Sequence, residues 1–350
     1  MRRTMKGIAL AAVLCGSAGS GSAGDLSVFD WAGYDDEGFF GAYVQKYGGP
    51  PAFSFYADEE EAFNKLQAGF SADIAHPCIG SVFKWRDAGL LKPIDATKIS
   101  DWNSILPQIS ALKEVQSDGK VWMVPFEWGN TGLVIRTDKV DEATANLQLF
   151  ADPSMAGRVS IPDGVEDAYL LAALATGVTD WAAMTPEDVT KASDFLRAVH
   201  KNVRFYWTDS GQLTAAMTSG EIDMAWAWND AEVTLIGEDI PAKMIRRDDV
   251  GIASWVCGYV HLASGTTPDE EVYDFLNSTL SVDSGKYILE TWGYAHSNAK
   301  AFKAADQELM ASYGYSDLDA FIARSMFATT LKPEIRDQMI KEFERIKAGF

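Results

Sequence analysis

The chain has 350 residues, 47% of them hydrophobic, with 11 Trp, 12 Tyr and 18 Phe, and a formal net charge of −20. This length exceeds what one ordinary core needs and predicts two domains or lobes, and the apolar content excludes a disordered chain. The acidic surface disfavours nucleic acid and anionic lipid and favours a cationic ligand, although acidity also aids solubility by itself.

The first residues have the pattern of an export signal. A basic start, MRRTMK, precedes an apolar run, GIALAAVLCG, and a tail of small residues. The apolar run is too short to span a bilayer, which needs about 20 residues. We therefore expect residues 1–23 to be a signal peptide cleaved near Ala23, with the mature protein in the periplasm. Cleavage leaves two cysteines, Cys78 and Cys257, and their spacing alone does not decide whether they pair.

Short apolar runs alternate with helical patterns along the mature chain, which is typical of α/β architecture. The predicted strands cover residues 26–31, 52–57, 73–77, 121–126, 132–136, 158–162, 203–207, 222–228 and 255–263.

Three helices between these strands have clear start signals. Asp58 is expected to cap the first helix, which has acidic residues in its first turn and Gly69 as its stop. Thr185 and Asp188, with a proline between them, form a predicted capping box. The same device is predicted again from Thr267.

No linker, repeat or low-complexity tract appears after residue 24. A two-lobed protein without a linker is one whose chain crosses between the lobes more than once, and such crossings form a hinge beside a ligand cleft. We expect lobe 1 to comprise residues 24–134 and 256–305, and lobe 2 residues 135–255 and 306–350.

The common catalytic motifs are absent: the sequence has no Walker A loop, Rossmann glycine fingerprint, GxSxG elbow or HExxH. The four histidines are scattered without metal-ligand spacing, so each is interpreted as structural. Adjacent acids such as Asp35 and Asp36 could serve a glycosidase but are usually a solvated surface. We expect no cofactor and no metal, and an exported enzyme is a lower-ranked alternative.

Aromatic residues recur where predicted strands or helices end, beside polar or small residues. The segments are 31–34, 127–129, 204–209, 226–230, 254–257 and 292–294. Each alone is commonly a core residue, but six at element boundaries favour a cleft, because strand ends face the ligand crevice of open α/β sheets. Each ring face attracts a cation by about 0.5–2 kcal/mol. An amine is therefore the favoured ligand, and a sugar stacked on the rings is a lower-ranked one.

From Trp31 onward the chain resembles the polyamine-binding proteins of bacterial ABC transporters, the spermidine/putrescine class of periplasmic receptor. The matching segments are W-x-x-Y after the first strand, DIAHPC, GLLKPID, VPFEWGNTG, WND, GIASW and WGY, in that order. The resemblance implies a two-lobed periplasmic-binding-protein fold whose lobes close on a small amine, and ABC permease subunits as partners. No nucleic acid is implied, and we expect a monomer.

The resemblance also implies ligand contacts, residue by residue. Trp31 and Tyr34 match an aromatic pair on the first lobe. Trp228 and Trp255 match rings that sandwich the ligand chain, and Tyr294 matches a tyrosine near the cleft.

The polar contacts match less well. Cys78 stands where the family has a small hydroxyl residue, and Asp167 matches a carboxylate that holds a terminal amine. Gly33, Gly164 and Cys257 stand where polyamine binders carry acids. A buried polyamine would then leave charges unpaired, at a cost of several kcal/mol each.

Two ligand hypotheses follow. Asp35, Asp209 and Asp230 could replace the lost acids and hold a polyamine such as putrescine. If Arg204 reached the cleft, it would repel a polyamine and attract the carboxylate of a smaller zwitterion such as γ-aminobutyrate. An ordinary surface ion pair is the alternative role for Arg204.

Two further expectations rest on the resemblance. Cys78 and Cys257 both fall on positions that line the cleft, so they form either a disulfide or two free buried thiols. Trp128 is expected to support the hinge and not to contact the ligand.

Overall fold

The computed structural model describes residues 25–350, so the predicted signal peptide lies outside the described residues. The strands are β1 (Ser27–Trp31), β2 (Ala52–Tyr56), β3 (Ile74–Ala75), β4 (Leu91–Lys92), β5 (Gln116–Ser117), β6 (Lys120–Val121), β7 (Val124–Arg136), β8 (Val159–Pro162), β9 (Val203–Trp207), β10 (Met224–Trp228), β11 (Ala242–Ile245), β12 (Ile252–Leu262), β13 (Ala295–His296) and β14 (Ser325–Phe327). The helices are α1 (Gly41–Tyr47), α2 (Glu59–Gln67), α3 (Ile79–Asp87), α4 (Pro107–Ser110), α5 (Val165–Ala175), α6 (Pro186–His200), α7 (Ser210–Thr218), α8 (Asp230–Gly237), α9 (Asp269–Thr279), α10 (Val282–Thr291), α11 (Ala299–Ala304), α12 (Gln307–Ser312), α13 (Leu318–Ala323) and α14 (Pro333–Lys347). Within this range, no helix combines the length and apolarity that a membrane crossing requires.

One mixed sheet runs through the molecule in the order β2-β1-β3-β12-β7-β10-β8-β9. The strands β1, β2 and β3 are parallel at one end, and β8, β9 and β10 are parallel at the other. The central strands β7 and β12 are antiparallel to each other and join the two ends. This arrangement confirms the predicted α/β class.

Buried hydrophobic side chains divide the molecule into two lobes. The core of lobe 1 is built mainly from residues 26–128 and 256–322. Lobe 2 has two clusters of buried hydrophobic side chains. The larger of these two is built from residues 133–253 and 326–346, and the smaller one covers the other face of the sheet of lobe 2. The strands β7 and β12 pass from one core to the other.

The packing corrects the predicted division of the chain at residue 306. Met310, Tyr315 and Phe321 are buried in the core of lobe 1, and the Tyr315 ring lies 5.7 Å from that of Trp128. The chain returns to lobe 2 only at β14, which pairs in parallel with β12. A helical pattern shows which face of a helix is apolar but not which of two cores that face will join.

The sequence predicts two strands, at 121–126 and 132–136, where the structure has the single strand β7 of 13 residues. The glycines between them suggest a break, but β7 continues because neighbouring side chains occupy the space beside them. Trp255 lies over Gly129, and Met244 lies over Gly132. The crossing strand β12 agrees with its prediction.

Helix starts agree with the predicted signals at two of three places. The Asp58 carboxylate accepts from the backbone N–H of Glu61 and caps α2, and the capping box of Thr185 and Asp188 is formed at α6. The box predicted from Thr267 is wrong. Its hydroxyl donates to the carboxylate of Asp73 at 3.0 Å, and α9 begins without a side-chain cap.

Candidate ligand-binding site

Two carboxylates of lobe 2 follow neighbouring parallel strands. β8 leads into α5, which has Asp167 in its first turn, and β10 leads into α8, which begins at Asp230. A negative charge in the first turn of a helix is stabilised by the helix dipole. The sheet order and the helix starts therefore bring both acids to the edge of lobe 2 that faces lobe 1.

Asp167 is held by neutral donors. The Thr131 hydroxyl donates to Oδ1 of Asp167 at 2.9 Å, and the indole of Trp228 also interacts with this carboxylate. Burial raises the pKa of Asp167 to about 6, against the opposing effect of these donors. The carboxylate is thus charged at neutral pH without a cationic partner in its own lobe.

Asp230 has one oxygen engaged and one free. The Ser210 hydroxyl donates to Oδ2 at 2.6 Å, whereas Oδ1 is buried without a hydrogen-bond partner. Burial raises the pKa of Asp230, and the hydroxyls of Ser210 and Tyr294 act in the opposite direction. A buried carboxylate oxygen without a donor is costly, and an ammonium group would supply that donor.

Trp255 and Tyr294 lie at the hinge between the lobes. Their rings are 4.9 Å apart and nearly perpendicular, and the Trp255 ring fills the space beside Gly129. The indole nitrogen of Trp255 is buried without an acceptor. Tyr294 is close to Asp230 across the cleft, so these residues connect the hinge with the acids of lobe 2.

Of the aromatic pair predicted on lobe 1, Trp31 alone keeps an accessible ring. Trp31 is half-buried at the end of β1, and its indole N–H donates to the carbonyl oxygen of His76 at 2.9 Å. Tyr34 is 7% exposed, and its ring packs against His76, Trp292 and Phe39. In this closed arrangement residues of lobe 1 cover the ring of Tyr34, and its contact with a ligand stays a prediction.

Cys78 and Cys257 form a disulfide, with their Cα atoms 3.8 Å apart. Cys257 lies on β12, and Cys78 immediately precedes α3. The bridge therefore fastens the crossing strand to a cleft-side loop of lobe 1 and decides between the two predicted alternatives.

Two predicted ligand residues are engaged elsewhere. Arg204 is near the amino end of β9, and its Nε lies 2.7 Å from Glu221, which precedes β10, with both side chains exposed. The amino ends of these parallel strands are at the edge opposite the cleft, so the prediction for Arg204 is wrong. Asp209 is exposed and caps α7 by accepting from the backbone N–H of Gln212 at 2.9 Å.

A charged network that was not predicted from the sequence lies beneath the cleft in lobe 1. The imidazole of His76 lies between two carboxylates, with Nδ1 2.6 Å from Asp30 and Nε2 3.1 Å from Glu127. All three side chains are buried. Burial alone would lower the pKa of His76, but the charges of Asp30 and Glu127 raise it to about 10. The imidazole is therefore an internal cation.

Neutral hydroxyls complete this network. The Tyr34 hydroxyl donates to Oε1 of Glu127 at 3.0 Å, and the Tyr259 hydroxyl donates to Oδ2 of Asp30 at 3.2 Å. Interpreting each histidine as structural agrees with the burial of His76. Neither the DIAHPC segment nor the spacing of the acids indicated that these three residues would meet.

Arg336 of α14 joins the two lobes across the cleft. Its Nη2 lies 2.9 Å from Glu60 in lobe 1, and its Nε lies 2.9 Å from Glu166 in lobe 2. A second contact between the lobes joins Asn229 to Gly293. Nδ2 of Asn229 donates to the carbonyl oxygen of Gly293 at 2.5 Å. The structure is thus a closed arrangement of the lobes. Arg336 was missed because its position in an exposed-looking helix carries no sign of a long-range partner.

Carboxylates from both lobes converge on the phenol of Tyr294. Burial raises the pKa of Tyr294, and the charges of Asp230, Glu127 and Asp167 raise it further. His76 compensates Glu127 from behind, whereas Asp167 and Asp230 have no basic partner among the ion pairs of residues 25–350. The region between the lobes around Tyr294 is therefore negative, with the rings of Tyr294 and Trp255 next to it.

Residues 52–312, well over half of the chain, match the family described as bacterial extracellular solute-binding protein. The chain belongs to this family. The spermidine/putrescine-binding periplasmic protein of Salmonella typhimurium is 22% identical over 289 residues, which are 81% of this chain and 80% of the relative.

Solved structures agree on the fold of this solute-binding protein. The spermidine/putrescine ABC transporter substrate-binding protein of Streptococcus pneumoniae superposes with a TM-score of 0.77 at 18% identity, over 93% of this chain and 99% of that one. A GABA receptor superposes with a TM-score of 0.72 at 17% identity, over 93% and 97%. These findings confirm the resemblance seen in the sequence and the two-lobed fold that it implied.

Proposed function

We propose that this chain is an exported receptor that captures a small organic amine of the polyamine class between its lobes and delivers it to an ABC permease. The observation that carries the proposal is the negative, aromatic cleft around Asp167, Asp230 and Tyr294. The names of the relatives support the amine class and the transporter partner. Solute binding without chemical change is the family's activity, and we assign no catalytic step to this chain.

The charge of the cleft favours an ammonium ligand. Oδ1 of Asp230 has no donor, and Asp167 is ionised at neutral pH without a cation beside it. An ammonium group supplies charge and hydrogen-bond donors together, and such bonds are roughly twice as strong as neutral ones. Water excluded by closure strengthens the same interactions.

The aromatic residues favour the alkyl part of such a ligand. Trp31, Trp228 and Trp255 are half-buried at strand ends or on the crossing strand β12. Each face adds about 0.5–2 kcal/mol toward a nearby cation, and the rings also remove apolar surface of a methylene chain from water. We propose these three side chains as the walls of the site, with Tyr294 at its hinge end.

The zwitterionic ligand remains the second candidate. The unpaired indole N–H of Trp255 would suit an acceptor such as a carboxylate, and a GABA receptor shares the fold. Arg204 no longer supports this candidate, because it pairs with Glu221 on the outer surface. The polyamine class therefore ranks first.

We also propose where the lobes divide. Lobe 1 would end at the middle of β7, near Gly129, resume on β12 after Trp255, and end before β14. The disulfide fastens β12 to lobe 1 at Cys257, so we place the bend at the paired positions Gly129 and Trp255, just on the lobe 2 side of this bridge. Hinges of this kind need a few residues that absorb the change in backbone angles.

Calorimetric titration with putrescine, spermidine, γ-aminobutyrate and a neutral hexose tests the proposal. We expect the amines of the polyamine class to bind at about micromolar affinity and the hexose not to bind. Binding of the hexose alone, or turnover of any ligand, would overturn the assignment. Binding of γ-aminobutyrate alone would move the chain to the second candidate.

A matched pair of tryptophan variants locates the site. Trp255→Leu is expected to weaken amine binding, because it removes a ring from the cleft. Trp122→Leu serves as the control, since Trp122 is a half-buried residue of lobe 1 that packs near Arg86 and Lys120. Equal losses in the two variants would place the ligand elsewhere.

A further inference from the structure

Buried carboxylates of the protein differ in how completely their charge and their oxygens are paired. Within residues 25–350, three carboxylate oxygens are buried without a hydrogen-bond partner, and they belong to Asp223, Asp230 and Glu232. Two of these carboxylates pair with an arginine, Asp223 with Arg158 and Glu232 with Arg246. Asp230 is the third of them and has no arginine or other cation of residues 25–350 beside it, so its charge can be paired by a ligand.

Two buried carboxylates of lobe 1, Glu127 and Glu59, already have protein donors. Both oxygens of Glu127 are engaged, Oε1 by the Tyr34 hydroxyl and Oε2 by His76. Glu59 accepts from the backbone N–H of Cys78 at 2.5 Å and from the Ser81 hydroxyl at 2.6 Å. Neither carboxylate has an oxygen without a donor, in contrast to Asp230.

Two neighbouring parts of lobe 1 carry no charge and form what we take as its uncharged wall. They are the disulfide at Cys78 and the indole of Trp31, whose N–H is bound to the carbonyl oxygen of His76. Glu127 lies close enough behind this wall to affect the pKa of Tyr294. Without a cation at residue 76, the charge of Glu127 would act more strongly on a ligand in the cleft.

We propose that His76 is a resident cation that prevents Glu127 from serving as an ammonium site, so that Asp167 and Asp230 of lobe 2 alone hold the charged groups of the ligand. The inference rests on the proposed amine-binding function and narrows its ligand class. Two carboxylates match amines with one or two ammonium groups. A third ammonium group would face the uncharged wall of lobe 1 and lose its hydration without gaining a partner.

In this proposal the carboxylates of lobe 2 bind the ammonium groups of the ligand, and lobe 1 covers its apolar part. His76 acts through Glu127 and does not contact the ligand, so it is a positioning residue. The network fixes the Tyr34 hydroxyl as a donor to Glu127. Its ring is thereby held inside lobe 1.

Calorimetry on the full-length mature receptor tests the inference with putrescine, which has two ammonium groups, and spermidine, which has three. We expect putrescine to bind about tenfold or more tightly than spermidine, because one unpaired buried charge costs at least that much. Tighter binding of spermidine would overturn the inference and leave the proposed function intact. Failure of both amines to bind would overturn the proposed function itself.

Three variants distinguish the contributions of the two lobes to amine binding. Asp230→Asn and Asp167→Asn are expected to weaken putrescine binding, by about 100-fold for Asp230, the usual effect of truncating a buried charge pair. Glu127→Gln is expected to change putrescine affinity by less than about threefold, since its oxygens already have protein donors. A loss in Glu127→Gln equal to that in Asp230→Asn would overturn the inference.

His76→Gln tests whether His76 acts through its charge, because a purely structural role would not change the affinity ratio of the two amines. Removing the resident cation exposes the charge of Glu127, so the affinity ratio of spermidine to putrescine should rise by about tenfold. A structural role would weaken both amines equally and leave the ratio unchanged, which would contradict the inference. If His76→Gln does not fold, the Glu127→Gln result and the wild-type ratio decide the question.

Discussion

The indole of Trp255 occupies the space beside the backbone of Gly129, where the β-carbon of any larger residue would collide with the ring. The two residues are paired across β7 and β12, the strands that cross between the lobes. The proposed aromatic wall and the proposed hinge therefore share this pair of residues. A change in the backbone at Gly129 should move the Trp255 ring.

Gly129→Ala is expected to displace Trp255 and weaken amine binding by about 3- to 30-fold, the equivalent of one cation–π contact. Overpacking should also lower the free energy of unfolding by about 1–3 kcal/mol. Calorimetry and urea denaturation measure the two effects. Gly132→Ala is the control on the same strand, because its new methyl group would meet the flexible side chain of Met244. Unchanged affinity in Gly129→Ala would show that Trp255 does not line the site.

The disulfide should stabilise the mature protein. Replacing both Cys78 and Cys257 with alanine is expected to lower the free energy of unfolding by about 2–5 kcal/mol, since the bridge closes a long loop in the unfolded chain. The two cysteines are 179 residues apart in sequence. Denaturant unfolding measures the difference, and reduced wild-type protein should behave like the double variant. Equal stability of the oxidised wild type and the variant would contradict the bridge.

Most of the fold was accessible from the sequence because local signals are strong where one face of an element is buried. The predicted strand at 203–207 agrees with β9, and the cap at Asp58 and the box at Thr185 are present. The predictions of secondary structure that were wrong lie where a residue distant in sequence contacts the segment and changes its conformation. Asp73 captures Thr267 from a predicted cap, and Trp255 fills the gap at Gly129 that suggested a strand break.

The site was accessible only in part, for a related reason. Strand ends could be recognised, and Trp228, Asp230 and Asp167 do lie where a strand ends or the following helix begins, but their contact with a ligand stays a prediction. The direction of a strand within the sheet cannot be read from the sequence, so it is unknown which end of the strand lies at the cleft. Arg204 was for this reason predicted at the cleft, whereas it lies near the opposite end of β9. Pairing over long distances, as between His76 and Glu127, leaves no periodic pattern in the chain.

Arg336 is expected to hold the lobes closed. It pairs with Glu60 of lobe 1 and Glu166 of lobe 2, and its side chain is 28% exposed. Arg336→Gln should therefore shift the population toward open forms. Partly exposed pairs contribute about 0.2–1 kcal/mol each, so we expect a loss of affinity of about 3- to 10-fold.

Small-angle scattering of the ligand-free protein should detect a larger radius of gyration in Arg336→Gln. Arg345→Gln is the matched control, because Arg345 lies on the same helix and pairs with Glu342 within that helix. Identical scattering and affinity in the wild type and both variants would show that the inter-lobe pair does not contribute to closure.

Acid should release the ligand. Burial raises the pKa of Asp167 to about 6 and also raises that of Asp230, whereas an alkyl ammonium group stays charged well above neutral pH. A bound ammonium favours the ionised carboxylate, so binding releases protons when the pH is below these pKa values. Affinity should be constant above about pH 7 and fall as the pH decreases through 6, by at most about tenfold per pH unit for each carboxylate.

Calorimetry between pH 8 and pH 5 in buffers of different ionisation enthalpy measures both the affinity and the protons released. Asp167→Asn should bind more weakly at pH 8 and lose part of the pH dependence, because it removes one of the titrating groups. Asp306→Asn is the control, since this exposed acid caps α12 of lobe 1 and should leave the pH profile unchanged. An affinity that stays level from pH 8 to pH 5 would mean that neither Asp167 nor Asp230 carries the charge that holds the amine.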